Sequence, residues 1–259
     1  MSVVFLDSGS VHYEVLGRGK PVVYLHGWVG SWRYWLPAMQ ATSISYRAYA
    51  LDLWGFGDSA KTNQYDLEQQ AALIDGFLEK MGIGRVVLVG HGLGALAAMA
   101  YAAKNPQVVD RVMAVSYPLE QGNLASRLRT ASPAELGDWL LPRVPGADAV
   151  RVELPKADPA AVTGSLVNLA GLDTLWRQFA TSCLLVHGAN DPVVLPPRPE
   201  QLNEMPETMH AVLFEPGGHF PMLDDSSKFN RLVTDFLMLA SGETPRQLQL
   251  KEEWKRRVR

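Results

Sequence analysis

The chain has 259 residues, 47% hydrophobic and 20% charged, with a formal net charge of −3. Those values fit one globular α/β domain with a sizeable core. They exclude a nucleic-acid binder driven by global positive charge. No run reaches the roughly 18 apolar residues of a membrane span. The opening MSVVFLDSGSVHYEV lacks a basic segment followed by an apolar one, so no secretory signal is expected. A single cysteine, Cys183, makes an intrachain disulfide impossible, which suits a reducing cytoplasm.

In chain order, SVVFLD (2–7) and SVHYEVLG (10–17) are β-rich runs separated by Ser8 and Gly9, the pattern of a hairpin. PVVYLHG (21–27) is a short apolar run ending in glycine, as a buried strand does. The runs at 46–53, 85–90, 111–116, 182–188 and 210–216 read the same way. Helical patterns fall at 31–41, 66–82, 93–104 and 226–240. Continuous apolar strands alternating with helices predict a mostly parallel sheet covered on both faces.

Residues 119–181 interrupt that rhythm. They hold several prolines and no strong strand, and SPAELGDWLLPRV and DPAAVTGSLVNLAGLDTLWRQF read as short helices. The expected organisation is a core of 1–118 and 182–241 with 119–181 inserted as a helical lid over the carboxyl edge of the sheet, where open α/β sheets bind ligands. Residues 242–259 form a basic tail, expected to be helical. From 246 on it holds six basic and two acidic residues, +4, which leaves −7 for the rest. A solvated helix docking on its own body is the plain reading of it; a weak surface contact with a membrane or partner is the other.

Four signals sit at the carboxyl ends of predicted strands. HGW places His26, Gly27 and Trp28 after the first buried strand. DLWGFGDS (52–59) is a glycine-punctuated loop whose Asp58 and Ser59 suit local turn bonds. VGHGLGALAAMAYAAKNP (89–106) reads as strand, tight turn and helix, with Gly90 and Gly94 spaced as in a G-x-S-x-G elbow. HGANDPVV and PGGHFPML then place Asp191 after a strand and His219 in a glycine-flanked loop.

Together these motifs, in this order over residues 2–240, resemble the α/β-hydrolase superfamily, in particular its small capped esterases, lactonases and C–C bond hydrolases. The resemblance implies an α/β-hydrolase fold, mostly parallel, with helices on both faces and a short helical lid. It implies no cofactor and a small-molecule substrate. His219 becomes the general base and Asp191 its orienting partner. The amides of Trp28 and Leu93 become the oxyanion hole. Gly27, Trp139 and Trp176 become pocket residues. The nucleophile position is vacant, because residue 92 is glycine.

Gly92 leaves three consequences open. Asp191 and His219 could activate a water in the space that a serine side chain would fill, acting on a small apolar carbonyl or ester. The chain could be a catalytically silent ligand-binding pseudohydrolase. Gly92 could replace a native serine by engineering. Ser116 is a conceivable alternative nucleophile, but it lacks an elbow. His91 is expected to point back beneath the turn, and His26 and His187 to be satisfied structural histidines. Cys183 reads as a small buried hydrophobe. No two histidines have metal-ligand spacing, so no metal site is expected. Neither GLGA nor GRGK completes a phosphate loop. Trp28, Trp32, Trp35 and Trp54 cluster near the pocket rim, where core packing competes with an aromatic ligand site.

Overall fold

In a computed structural model that describes residues 2–248, eight strands form one sheet. They are β1 (Ser2–Leu6), β2 (Gly9–Leu16), β3 (Lys20–Leu25), β4 (Tyr46–Leu51), β5 (Val86–His91), β6 (Val109–Val115), β7 (Ser182–Gly188) and β8 (Met209–Phe214). Their order across the sheet is β1-β2-β4-β3-β5-β6-β7-β8. β1 and β2 make the expected hairpin, with Leu6 opposite Gly9, and β2 runs antiparallel to β4. Every pairing from β4 to β8 is parallel.

The core helices are α1 (Leu36–Thr42), α2 (Leu67–Lys80) and α3 (Leu93–Lys104). Between β6 and β7 come α4 (Pro133–Leu140), α5 (Asp148–Arg151), α6 (Pro159–Ser165) and α7 (Leu172–Leu175), with short 3-10 turns among them. After β7 follow α8 (Pro199–Glu204), α9 (Pro221–Asp224) and α10 (Ser226–Met238). The helix expected over 31–41 is split, since Trp32–Trp35 is a 3-10 turn and α1 starts behind it with Pro37 in its first turn. Proline fixes φ for a helix start and has no amide to leave unpaired there. α2 begins where the Asp66 side chain accepts the Gln69 amide at 3.0 Å, a capping bond worth about 1 kcal/mol.

The apolar runs are buried as their lack of alternation predicts. All six residues of β5 and the last four of β3 and β4 are buried. α3 is buried on almost every side, from Leu93 to Ala102. A helix can be hydrophobic all round only when both the sheet and a second helix cover it; here that second helix is α2. The tail expectation is decided only in part. Residues 245–247 form a 3-10 turn, and residues 249–259 lie outside the described residues.

β3 has β4 on one side and β5 on the other, so the chain leaves its carboxyl end in both directions. That switch point opens a crevice between the loops after β3 and β5. Its walls are extremely close. A methyl group on Gly94 would lie 2.3 Å from the Leu25 carbonyl oxygen, and one on Gly90 2.3 Å from the Gly94 oxygen. Gly94→Ala should therefore destabilise the protein at or above the top of the usual overpacking range of about 1–3 kcal/mol. A shift of the urea-unfolding midpoint measures it.

Candidate active site

The carboxyl ends of β3, β5, β6 and β7 bring together residues far apart in the chain. Asp191 and His219 are both buried, 4% and 3% exposed. His219 Nδ1 lies 3.0 Å from Asp191 Oδ2 and 3.1 Å from Oδ1. The carboxylate also accepts the Ser116 hydroxyl at 2.7 Å and the amides of Val193 and Val194 at 2.8 and 3.1 Å. Burial opposes its charge, but the His219 ring and these donors outweigh that and hold Asp191 well below the usual carboxylate range. With Asp191 accepting at Nδ1, the His219 proton belongs on that nitrogen. No hydrogen bond reaches Nε2 among the described residues, so its lone pair is free to act as a base.

Ser116 is thus a partner of Asp191 and no nucleophile on an elbow of its own. It sits directly after β6 at φ 50°, a strained conformation for serine. Its amide bonds the Val186 carbonyl at 2.8 Å, which anchors the strained residue to β7.

Gly92 forms the tip between β5 and α3 with φ 51° and ψ −109°. Its amide bonds Val115 O, and Gly94 N bonds His26 O at 3.0 Å. The amides of Trp28 and Leu93 donate to nothing among the described residues. Unpaired buried amides are rare, so these two stand out in the loops after β3 and β5.

The space above Gly92, expected to have room for a water, is filled. A Cβ on Gly92 would lie 2.9 Å from both Cε3 and Cζ3 of Trp28 and 3.6 Å from Gly27 Cα. The indole is 1% exposed. Its Nε1 donates to Ser165 Oγ of α6 at 3.0 Å, and its ring lies nearly parallel to His219, 17° apart with centroids 6.4 Å apart.

Beneath the tip, His91 is fully satisfied. Its Nε2 is 2.8 Å from the His219 carbonyl and its Nδ1 2.9 Å from the Tyr34 hydroxyl. The Tyr34 oxygen accepts the Gly27 amide at 2.6 Å. This chain of bonds fixes one tautomer: Nε2–H donates to His219 O, and Nδ1 accepts the tyrosine proton. One neutral imidazole thereby ties the His219 loop to the Gly27 loop. Burial, then the nearby His219, holds His91 well below the usual histidine range. Gly27 is needed here because a Cβ would come 2.8 Å from His91 Nδ1. His26 is likewise satisfied, bonding Gly27 O and Leu53 N.

The remaining tryptophans divide. Trp35 packs against Tyr24, Tyr34 and Phe229 as core. Trp32 carries Arg33 over its face. Trp139 lies under Arg127 and Trp176 under Arg177. Neither of the last two joins the ring contacts that link Trp28, His91, His219 and Phe220.

His12, Asp52 and Asp58 bring potential metal-ligating atoms within 4.8 Å of one another, a cluster that histidine spacing alone did not reveal. Each residue is already used in tying loops together. His12 Nδ1 bonds Asp52 at 2.9 Å, Asp52 accepts the Trp32 and Asp58 amides, and Asp58 pairs with Lys156. A separate cavity of about 500 Å³, lined in part by Lys20, Tyr46, Arg85 and Arg111, opens at the amino ends of the strands, away from the dyad.

The family model described as the alpha/beta hydrolase family matches residues 22–232. The chain belongs to this family. Among curated relatives, the chain is 27% identical to the 2-hydroxy-6-oxo-2,4-heptadienoate hydrolase of Pseudomonas putida, over 86% of this chain and 90% of the relative. Its fold is similar to that of the enol-lactonase from Burkholderia xenovorans, with a TM-score of 0.76 at 20% identity, covering 92% and 100% of the two chains. It is similar in the same degree to a meta-cleavage product hydrolase from Pseudomonas fluorescens, with a TM-score of 0.77 at 21% identity, covering 92% and 97%.

Gly92→Ala should lose about 1–3 kcal/mol to backbone strain alone, plus the contact with Trp28, as read from urea-unfolding midpoints. Stability of the protein should also fall on acidification. His26, His91, His187 and His210 are held low, chiefly by burial. The unfolded chain therefore takes up their protons first, below about pH 6.5. His12 is held high, against its burial, by the bond to Asp52, so it acts in the opposite sense. Urea midpoints measured at pH 7.5 and at pH 5 should show the four outweighing the one, with the lower midpoint at pH 5.

Proposed function

We propose that this hydrolase-family protein acts on a small apolar carbonyl compound by general acid–base chemistry, with no covalent intermediate on the protein. The observation that carries the reading is the complete Asp191–His219 dyad, with Asp191 held by three further donors and His219 Nε2 free. In this reading His219 takes a proton from water as the water oxygen attacks the carbonyl carbon. The amides of Trp28 and Leu93 hold the developing oxyanion. On collapse, the leaving group takes the proton back from Nε2. The carbonyl reaches those amides only with the Trp28 indole turned away from the tip. The carbonyl part of this substrate class is supported by relatives named for a dienoate with hydroxyl and oxo groups and for an enol-lactone.

Residues 119–181 act as the lid in this reading. They are clamped to the core by Arg33–Glu153 at 2.8 Å, Lys156–Asp58 at 2.9 Å and Tyr65–Asp158 at 2.6 Å, besides Trp28–Ser165. The filled space above Gly92 favours a second reading, a pseudohydrolase that binds the same class of ligand without turnover. The engineered-serine reading gains no support from a tip that is already occupied by an indole.

The test is a panel of p-nitrophenyl esters, small lactones and oxo-dienoates. His219→Ala should lower kcat/KM by about 10²–10⁴-fold with little change in KM. The second reading instead expects no turnover by either protein. It also expects a panel compound to raise the melting temperature of the native and His219→Ala proteins alike.

A further inference from the structure

We propose that Trp28 closes position 92 to a nucleophile side chain: its indole stands where such a side chain would begin, so a hydroxyl introduced at 92 cannot reach a productive position while that ring is seated. The inference rests on the dyad reading above and adds to it a residue with a separable role. Glycine at 92 has no side chain, and the Trp28 ring stands where one would begin: Cε3 and Cζ3 are 2.9 Å from the place of its Cβ, closer than side-chain atoms pack.

Further contacts seat the ring in this arrangement. Trp28 follows β3 in a loop, so no strand pairing dictates its rotamer. Its Nε1–H is satisfied by Ser165 Oγ, which in turn donates to Val162 O at 2.6 Å. A buried indole N–H without such a partner is costly. Its flat face lies along His219. Trp28 and Gly92 are therefore a coupled pair, each shaped to the other: any side chain at 92 needs a smaller residue at 28. The same ring links the inserted helices to the dyad through Ser165.

The experiment measures the rate of covalent labelling by an alkyl fluorophosphonate. The compared proteins are the native chain, Gly92→Ser, Trp28→Ala, the double variant of both, and the double variant with His219→Ala added. In labelling, the hydroxyl introduced by Gly92→Ser attacks phosphorus, the P–F bond breaks and fluoride leaves. The hydroxyl proton passes to His219 Nε2. The native and Trp28→Ala proteins should stay unlabelled at position 92. The double variant should label at least about tenfold faster than Gly92→Ser alone. Equal rates for these two would overturn the proposal, as would an unlabelled double variant with native circular dichroism.

If the double variant does not fold, Trp28→Ala alone still decides. It should acquire an apolar, indole-sized cavity and be stabilised by added indole, where the native protein is not. No difference in indole response would overturn the proposal. The dyad reading fails separately: the double variant would then label at the same rate with or without His219→Ala, while the effect of Trp28 persisted.

Discussion

The whole site depends on how closely the backbone packs at one turn. Gly90 and Gly94 let α3 start within van der Waals contact of the β3 carbonyls, where a methyl group would meet backbone oxygen at 2.3 Å. That approach forces the residue between them to φ 51° and leaves its neighbour Leu93 with an amide that no helix turn can use. The same closeness holds Gly27 against His91, where a Cβ would come 2.8 Å from Nδ1. The unpaired amides of Trp28 and Leu93 both belong to the loops that this packing brings together.

Around this turn the buried polar groups form one connected set. His91 joins the loops of Gly27 and His219 through Tyr34. Ser116 and two amides fix Asp191, which fixes His219. Each bond exchanges one with water for one within the protein, so its net contribution is modest, about 1 kcal/mol. Leaving any of these buried groups unpaired costs more, and that asymmetry keeps the dyad rigid. Rigidity explains how a site without a nucleophile can retain its geometry.

The inserted helices enter this network at two kinds of contact. Ion pairs around Glu153, Lys156 and Asp58 clamp them at the rim, while the Trp28–Ser165 bond reaches into the centre. Lys156–Asp58 joins two exposed side chains and contributes little by itself, whereas Glu153 is buried and needs Arg33 and Lys156 to offset its charge. The indole is the contact that joins the insertion to the tip itself.

The architecture and the positions of Gly92, Asp191 and His219 were legible in the chain alone. Continuous apolar runs bounded by turn residues make buried strands, and glycines spaced around a strand–helix junction serve a tight turn. Such signals are local, with periods and spacings that can be followed along the chain. The bond from Ser116 to Asp191, the tautomer of His91 and the pairing of His12 with Asp52 were not legible, since each joins residues 40 or more positions apart. Long-range packing also settled what lies above Gly92. A tryptophan a few residues past a strand can turn its ring toward solvent, core or site. Only the combination of Ser165, His219 and a bare glycine made the site its place, because it satisfies the indole N–H and buries the ring at once.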